Sequence, residues 1–249
     1  PSTTREPREA STVERAARLA SCRGSLAASF VATNARMKIA ILGAGNVGAA
    51  LARAWTRANH EIVFGVPDPS GAKVKSALAA LGKSARAGSV AEAARGAEVV
   101  VLATPWDATQ TALASAGSLA GKVVVDCTNP LKADLSGLAV GHTNSGGELV
   151  ASWAPGASVF KAFNHTGAEN MADAARLAAK PVMFVCGDDE AKKPIVLGLA
   201  RDAGFESVDA GKLQIARLLE PLAMLWVHLA YPMKHGRDFA FALARVKKA

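Results

Sequence analysis

Three glycines at fixed spacing, in Gly43-Ala44-Gly45-Asn46-Val47-Gly48, are the residues of this chain best suited to holding a ligand. The first glycine of such a hexad permits a tight turn, the second lets backbone approach a pyrophosphate, and the third lets a helix pack closely on a strand. The hexad follows the apolar run Met37 to Leu42 and precedes Ala49-Ala50-Leu51-Ala52-Arg53-Ala54-Trp55. It therefore falls at a strand-to-helix junction, where free N–H groups and the positive end of the helix dipole face an anion. The implied chemistry is the binding of a nucleotide. Further polar residues close other apolar runs: Thr104-Pro105-Trp106, Cys127-Thr128-Asn129-Pro130 and Asn164-His165-Thr166. Trp106 is a candidate to stack on a bound ring, and His165 to offer it a proton or a hydrogen bond.

Other chemically suggestive residues read more simply. Asp188-Asp189-Glu190 stands at a predicted helix start, where acids complement the dipole rather than bind metal. His60, His142, His228 and His235 have no partners at metal-ligand spacing. Cys127 has no neighbouring base in sequence to activate it. Arg217 and Glu220, three apart on one helix, are expected to pair with each other, and Met224, Trp226, Leu229 and Met233 give that helix an apolar face for core or dimer contact.

The elements that position these residues alternate. After the first strand-helix unit come a strand over His60 to Gly65, a helix over Ser70 to Leu81, a short helix opened by Ser89-Val90-Ala91-Glu92, and a strand over Glu98 to Ala103. Strands over Lys122 to Asp126 and Ser158 to Phe163 flank a helix opened by Ser145-Gly146-Gly147-Glu148, and Thr166-Gly167-Ala168-Glu169 repeats the capping-box spacing. Pro181 to Cys186 and Phe205 to Val208 read as strands, Asp188 to Ala203 and Leu213 to Tyr231 as helices. Apolar strands alternating with helices imply an α/β fold, a doubly wound parallel (Rossmann) sheet with a small C-terminal α/β appendage. Right-handed crossovers then place the loops that follow the strands on one rim, where such sheets bind ligands.

Composition bounds the rest. The 249 residues are 50% hydrophobic and 20% charged, enough for a full core. The net charge of +8 suggests nucleic acid, but the first 36 residues supply six Arg against three Glu, and neither a basic helix nor interleaved aromatics appears, so no nucleic-acid partner is expected. Three scattered cysteines without a CxxC pair argue against disulfides and zinc and for a cytoplasmic setting. The apolar run Pro221 to Tyr231 falls short of the roughly 20 residues that span a bilayer, so no membrane partner is expected. Residues 1–36, rich in Ser, Ala and Arg, read as a disordered leader or an over-long gene start ahead of Met37. The expected organisation beyond them is a dinucleotide-binding domain over 37–175 and an acceptor-side and dimerisation region over 176–249.

Taken jointly, the glycine hexad, Leu102-Ala103-Thr104-Pro105-Trp106, Lys161-Ala162-Phe163-Asn164, Cys186-Gly187-Asp188-Asp189-Glu190, Asp209-Ala210-Gly211 and Ala216-Arg217-Leu218-Leu219-Glu220 resemble the NADPH-dependent deazaflavin reductases. That family exchanges hydride between NADP and the deazaflavin coenzyme F-420. The oxidoreductase domain of the six-span membrane ferric reductases is similar too, including Lys161 to Asn164. The resemblance implies that Ala44, Gly45, Asn46 and Val47 hold the pyrophosphate, that Thr104, Pro105, Trp106 and Asn129 line the nicotinamide-ribose side, and that the loop from Asn164 through His165, Thr166 and Ala168 borders the second ring. Family members read the adenosine 2′-phosphate with Ser and Arg after the second strand, where this chain has Val66 and Pro67. Lys73 and Lys75 are candidates to restore the charge, and Asp68 to accept a ribose 2′-OH as in NAD enzymes. The expected cofactor is NADP, with NAD the alternative, and coenzyme F-420 is the expected co-substrate in a homodimer. Two alternatives stay open: a reductase of another acceptor such as flavin or ferric chelate, and a dinucleotide-binding redox sensor without turnover.

Overall fold

The computed structural model describes residues 36–246. The reading of the N-terminal leader lies outside these residues. Among the described residues, eight strands form one sheet in the order β3-β2-β1-β4-β5-β6-β7-β8. β1 (Lys38–Leu42), β2 (Glu61–Gly65), β3 (Ala85–Gly88), β4 (Val99–Leu102), β5 (Val123–Asp126) and β6 (Ser158–Lys161) run parallel. β1, β4 and β5 are covered on both faces, so apart from Lys38 and Asp126 at their ends they are built of Ile, Val, Leu and Ala. One core cluster joins Ile41, Trp55, Phe64, Phe160 and Phe163, and another joins Leu42, Val100, Leu113, Val124 and Val150.

The helices between the strands are α1 (Asn46–Arg57), α2 (Ala72–Ala79), α3 (Val90–Arg95), α4 (Trp106–Ala116) and α5 (Gly146–Trp153). Ser89 and Glu92 form the full reciprocal capping box of α3. Ser145 Oγ accepts from Glu148 N at the start of α5, but the Ser145 N–H donates to Asn144 instead of closing a box. The third capping-box expectation fails: the N-cap of α6 (Ala168–Ala172) is Gly167, and Thr166 Oγ1 accepts from Asn170.

The C-terminal elements continue the same sheet. β7 (Val182–Gly187) pairs antiparallel with β6 through Phe160 and Lys161, and β8 (Glu206–Gly211) pairs parallel with β7. Gly187 is required at the junction, since a Cβ there would lie 2.2 Å from Phe160 Cδ1. α7 (Lys193–Asp202) starts later than the sequence suggests. The acids stand in the preceding turn, where Asp189 Oδ1 accepts from the N–H groups of Ala191 and Lys192. A single 3₁₀ turn, Leu213–Ile215, leads into α8 (Ala216–Ala230). Leu213–Ala230 is long and apolar enough to cross a bilayer by length and composition, in contrast to the shorter run read from sequence. In the structure 44% of that stretch is buried. The chain then folds back: Phe241 O accepts from Val182 N, and the ring of Phe239 stacks on Trp226 at 5.3 Å.

Candidate functional site

The three glycines of the hexad do three different things. Gly43 has φ +107°, and a Cβ on it would lie 2.6 Å from Ala103 O, so both conformation and space demand glycine. A Cβ on Gly48 would meet Gly43 O at 2.2 Å, which is the close approach of α1 to β1. A Cβ on Gly45 would meet nothing within 4 Å. Gly45 is the N-cap of α1 and gives it no side-chain cap, so the first N–H groups of the helix are left without intrahelical acceptors beside open space. That is the geometry of an anion cradle.

The cradle opens into a cleft of about 740 Å³ at the carboxyl ends of β1, β2 and β4. Gly43, Ala44, Gly45, Val66, Pro67, Lys73, Thr104 and Pro105 line it, joined by Asp68 and, from α4, Ala108, Thr111, Ala112 and Ser115. A smaller cleft between α1 and α2 is lined by Ala44, Gly45, Asn46 and Lys73, so Lys73 reaches both spaces. Val47 packs half-buried against the core. Asp68 Oδ1 accepts from both the N–H and the hydroxyl of Ser70, and these bonds hold its carboxyl below the usual carboxylate range.

The remaining expected residues lie outside the lining of these two clefts. Trp106 packs on Trp153, ring centroids 5.5 Å apart. Asn129 and Asn164 bond reciprocally: Asn129 Nδ2 donates to Asn164 O at 2.8 Å, and Asn164 Nδ2 donates to Asn129 Oδ1 at 3.0 Å. Asn164 Nδ2 also donates to Leu219 O at 3.0 Å. His165 is 1% exposed, and its Nε2 accepts from Phe184 N, so burial pushes its pKa down to about 4 and keeps the ring neutral. Thr166 and Ala168 are buried beside it.

Beneath the Asn129–Asn164 pair lies a charge cluster that sequence reading missed. Lys161 Nζ donates to Asp126 Oδ2 at 2.8 Å and to Glu220 Oε1 at 2.7 Å, with all three side chains at most 1% exposed. Burial opposes the charge on Lys161, but the two carboxylates outweigh it and its pKa is raised. Glu220 also accepts from Gly146 N and Gly147 N, capping α5 from a distant helix. Asp126 Oδ1 accepts from the N–H and hydroxyl of Thr128. The available signal was a charged residue directly after an apolar stretch at the end of each of two strands, Val-Val-Val-Asp126 and Val-Phe-Lys161. The expected Arg217–Glu220 pair does not form, because Glu220 turns inward to Lys161. Arg217 instead forks onto Glu148 with bonds of 2.8 and 2.6 Å.

Two buried thiols take no part. Burial raises the pKa of Cys127, and that of Cys186 is pushed up to about 12 by the same cause. No cluster of residues able to hold a metal occurs among the described residues.

Residues 38–130 match the family described as NADP oxidoreductase coenzyme F420-dependent. Among solved structures, a protein of Arthrobacter sp. FB24 assigned as an F420-dependent NADP-reductase is 34% identical, with TM-score 0.77 over 84% of this chain and 100% of that one. The F420-dependent NADP reductase of Methanocaldococcus jannaschii is 29% identical over 78% of this chain and 92% of its own length. The metalloreductase STEAP3 of Rattus norvegicus is 30% identical over 76% of this chain, which spans only 37% of that protein. A reductive aminase of Aspergillus terreus, 20% identical with TM-score 0.58 over 80% of this chain and 63% of that one, shares the fold. With the family match over 38–130 and a structural relative 34% identical over its whole length, the chain belongs to the coenzyme F420-dependent NADP oxidoreductase family.

Proposed function

We propose that the protein exchanges hydride between NADP(H), held along the cleft of β1, β2 and β4, and a deazaflavin acceptor bound toward Asn129 and Asn164. The observation that carries the dinucleotide half is Gly45, which presents open space in front of an uncapped helix N-terminus. The nicotinamide supplies or takes the hydride. The chain's work is to grip, to orient and to exclude water, so that reacting carbons are held about 3 to 3.5 Å apart. Ala44 to Val47 hold the pyrophosphate, Thr104 and Pro105 flank the ribose, and Lys73 supplies cationic charge in place of the missing arginine. Residues 37–175 thus form the dinucleotide half together with the Asn129–Asn164 wall, and 176–249 complete the acceptor side behind that wall. Leu218 and Leu225, 65% and 47% exposed on α8, supply an apolar face for a homodimer.

The likeness to the rat metalloreductase favours one second reading, a ferric chelate or flavin as acceptor. The two are separated by mixing the protein with C4-deuterated NADPH and each acceptor, then locating the label by mass spectrometry. Deuterium at C5 of the deazaflavin is the expected result. Turnover only with flavin or ferric chelate establishes the second reading, and binding without any turnover makes the protein a sensor.

A further inference from the structure

The buried cluster under the rim joins four segments that are distant in sequence. Asp126 and Thr128 close β5, Lys161 closes β6, Leu219 and Glu220 belong to α8, and Gly146 and Gly147 open α5. Its formal balance is one cation against two carboxylates, and the second carboxylate is compensated by two helix N-terminal N–H groups. Immediately beyond it are two local costs. Phe163 holds φ +57°, a left-handed conformation disfavoured for a bulky side chain. Asn164, 6% exposed, leaves its Oδ1 without a protein donor. A flip of that amide does not relieve it, because the atom facing the carbonyl of Leu219 has to be a donor. Phe163 lies in sequence between Lys161, held by Asp126 and Glu220, and Asn164, held by the two bonds of its Nδ2, while its own N–H donates to Met183 Sδ and its ring packs on Trp55 and Phe205. Strain and an unmet acceptor that persist together, over-determined by their surroundings, mark a loop held for use rather than for stability.

We infer that Lys161, Asp126 and Glu220 are positioning residues for hydride transfer: the buried network fixes the Asn129–Asn164 pair, and so the wall of the acceptor-side rim, through α8. This rests on the proposed hydride transfer, in which a misplacement of about 1 Å costs about 100-fold in rate. The dinucleotide grip lies elsewhere, in the cleft of β1, β2 and β4, so the inference separates rate from affinity.

Two variants of the full chain test it. Glu220→Gln removes one charge and mismatches one of the two Gly N–H bonds. The combined Lys161→Met, Asp126→Asn, Glu220→Gln variant removes every charge of this network, which keeps it foldable where a lone charge would not be. Three readouts are taken on each: amide hydrogen exchange of residues 127–130 and 163–166 without ligand, NADPH affinity and bound-state emission from nicotinamide fluorescence, and single-turnover transfer from NADPH to oxidised deazaflavin. We expect exchange in both segments to speed up and transfer to slow by about 10-fold or more, while affinity for NADPH stays within about 2-fold because the two sites are separate. Unchanged exchange overturns the inference, as does faster exchange with an unchanged transfer rate, which would make the network structural only. If the wild type binds NADPH but leaves deazaflavin untouched, the proposed acceptor fails. The inference is then upheld by faster exchange together with transfer to flavin or ferric chelate slowed by about 10-fold or more, and overturned by an unchanged rate or by the lack of transfer to any of these acceptors. A wild type that binds no NADPH overturns both.

Discussion

At Gly45 a side chain would enter open space, whereas at Gly43 and Gly48 it would strike backbone. Gly45→Val is therefore expected to fold with an unchanged melting temperature and to lose dinucleotide binding, since the added methyls occupy the approach to the α1 N–H groups. Calorimetric titration beside a thermal melt checks this, and wild-type affinity would move the pyrophosphate elsewhere. Lys73 is the cation that lines both clefts, while Asp68 there is a carboxylate held ionised by Ser70. One lysine against one carboxylate gives a modest preference for NADPH over NADH, and Lys73→Ala should erase it, measured as the ratio of kcat/KM values. A strong NADH preference in the wild type would mean that Asp68 governs the ribose. His165 makes a different prediction. Its folded pKa, about 4, lies below the unfolded value of 6.5, so the unfolded chain takes up a proton first as pH falls. The stabilisation is complete above pH 6.5 and is lost progressively down to pH 4, by about 3 kcal/mol in all. Urea midpoints at pH 7 and 5 should show the loss in the wild type and much less of it in His165→Gln, whose carbonyl still accepts from Phe184 N.

At the scale of elements, α8 is the organiser of the proposed acceptor side. It caps α5 through Glu220, accepts from Asn164 through Leu219, and grips Glu148 through the fork of Arg217. The last contact is partly exposed, at 28% and 25% for the two side chains, so its contribution is screened. Arg217→Met should lower stability by only about 1 kcal/mol, read as a small shift in urea midpoint. A loss several times larger would show that the fork, rather than the Glu220 cap, holds α8 in place. Most elements were legible because apolar runs closed by Gly, Pro or Asn mark strand ends. β3 was not: Ala85-Arg86-Ala87-Gly88 is a half-exposed edge with no apolar run to signal it. The Arg217–Glu220 expectation failed for a related reason. Helical spacing reports which side chains can meet within an element, not which tertiary partner outbids the neighbour.

For the whole molecule, the rim was legible as a set of loops, and the glycine hexad was legible in the tight turn at Gly43 and the close packing at Gly48. The Lys161 cluster was not, because its partners are separated in sequence and only the sheet order and the return of α8 bring them together. The side-chain burial of His165 was equally hidden, since a histidine after a strand looks the same in sequence whether it faces a ligand or Phe184. The division at residue 175 also takes on a different weight once the sheet is seen as continuous, with β7 reversed against β6. Residues 176–246 cover what would otherwise be an open flank. A fragment ending at 175 would expose the edge of β6 at Phe160 and Lys161, the residues that pair with β7, and would leave Lys161 without Glu220. Bare, apolar strand edges recruit other chains. Expressed alone, residues 36–175 are expected to self-associate, seen as void-volume elution on size exclusion, and a monodisperse monomer would refute this. On that expectation the reversed strand guards against aggregation as well as extending the sheet.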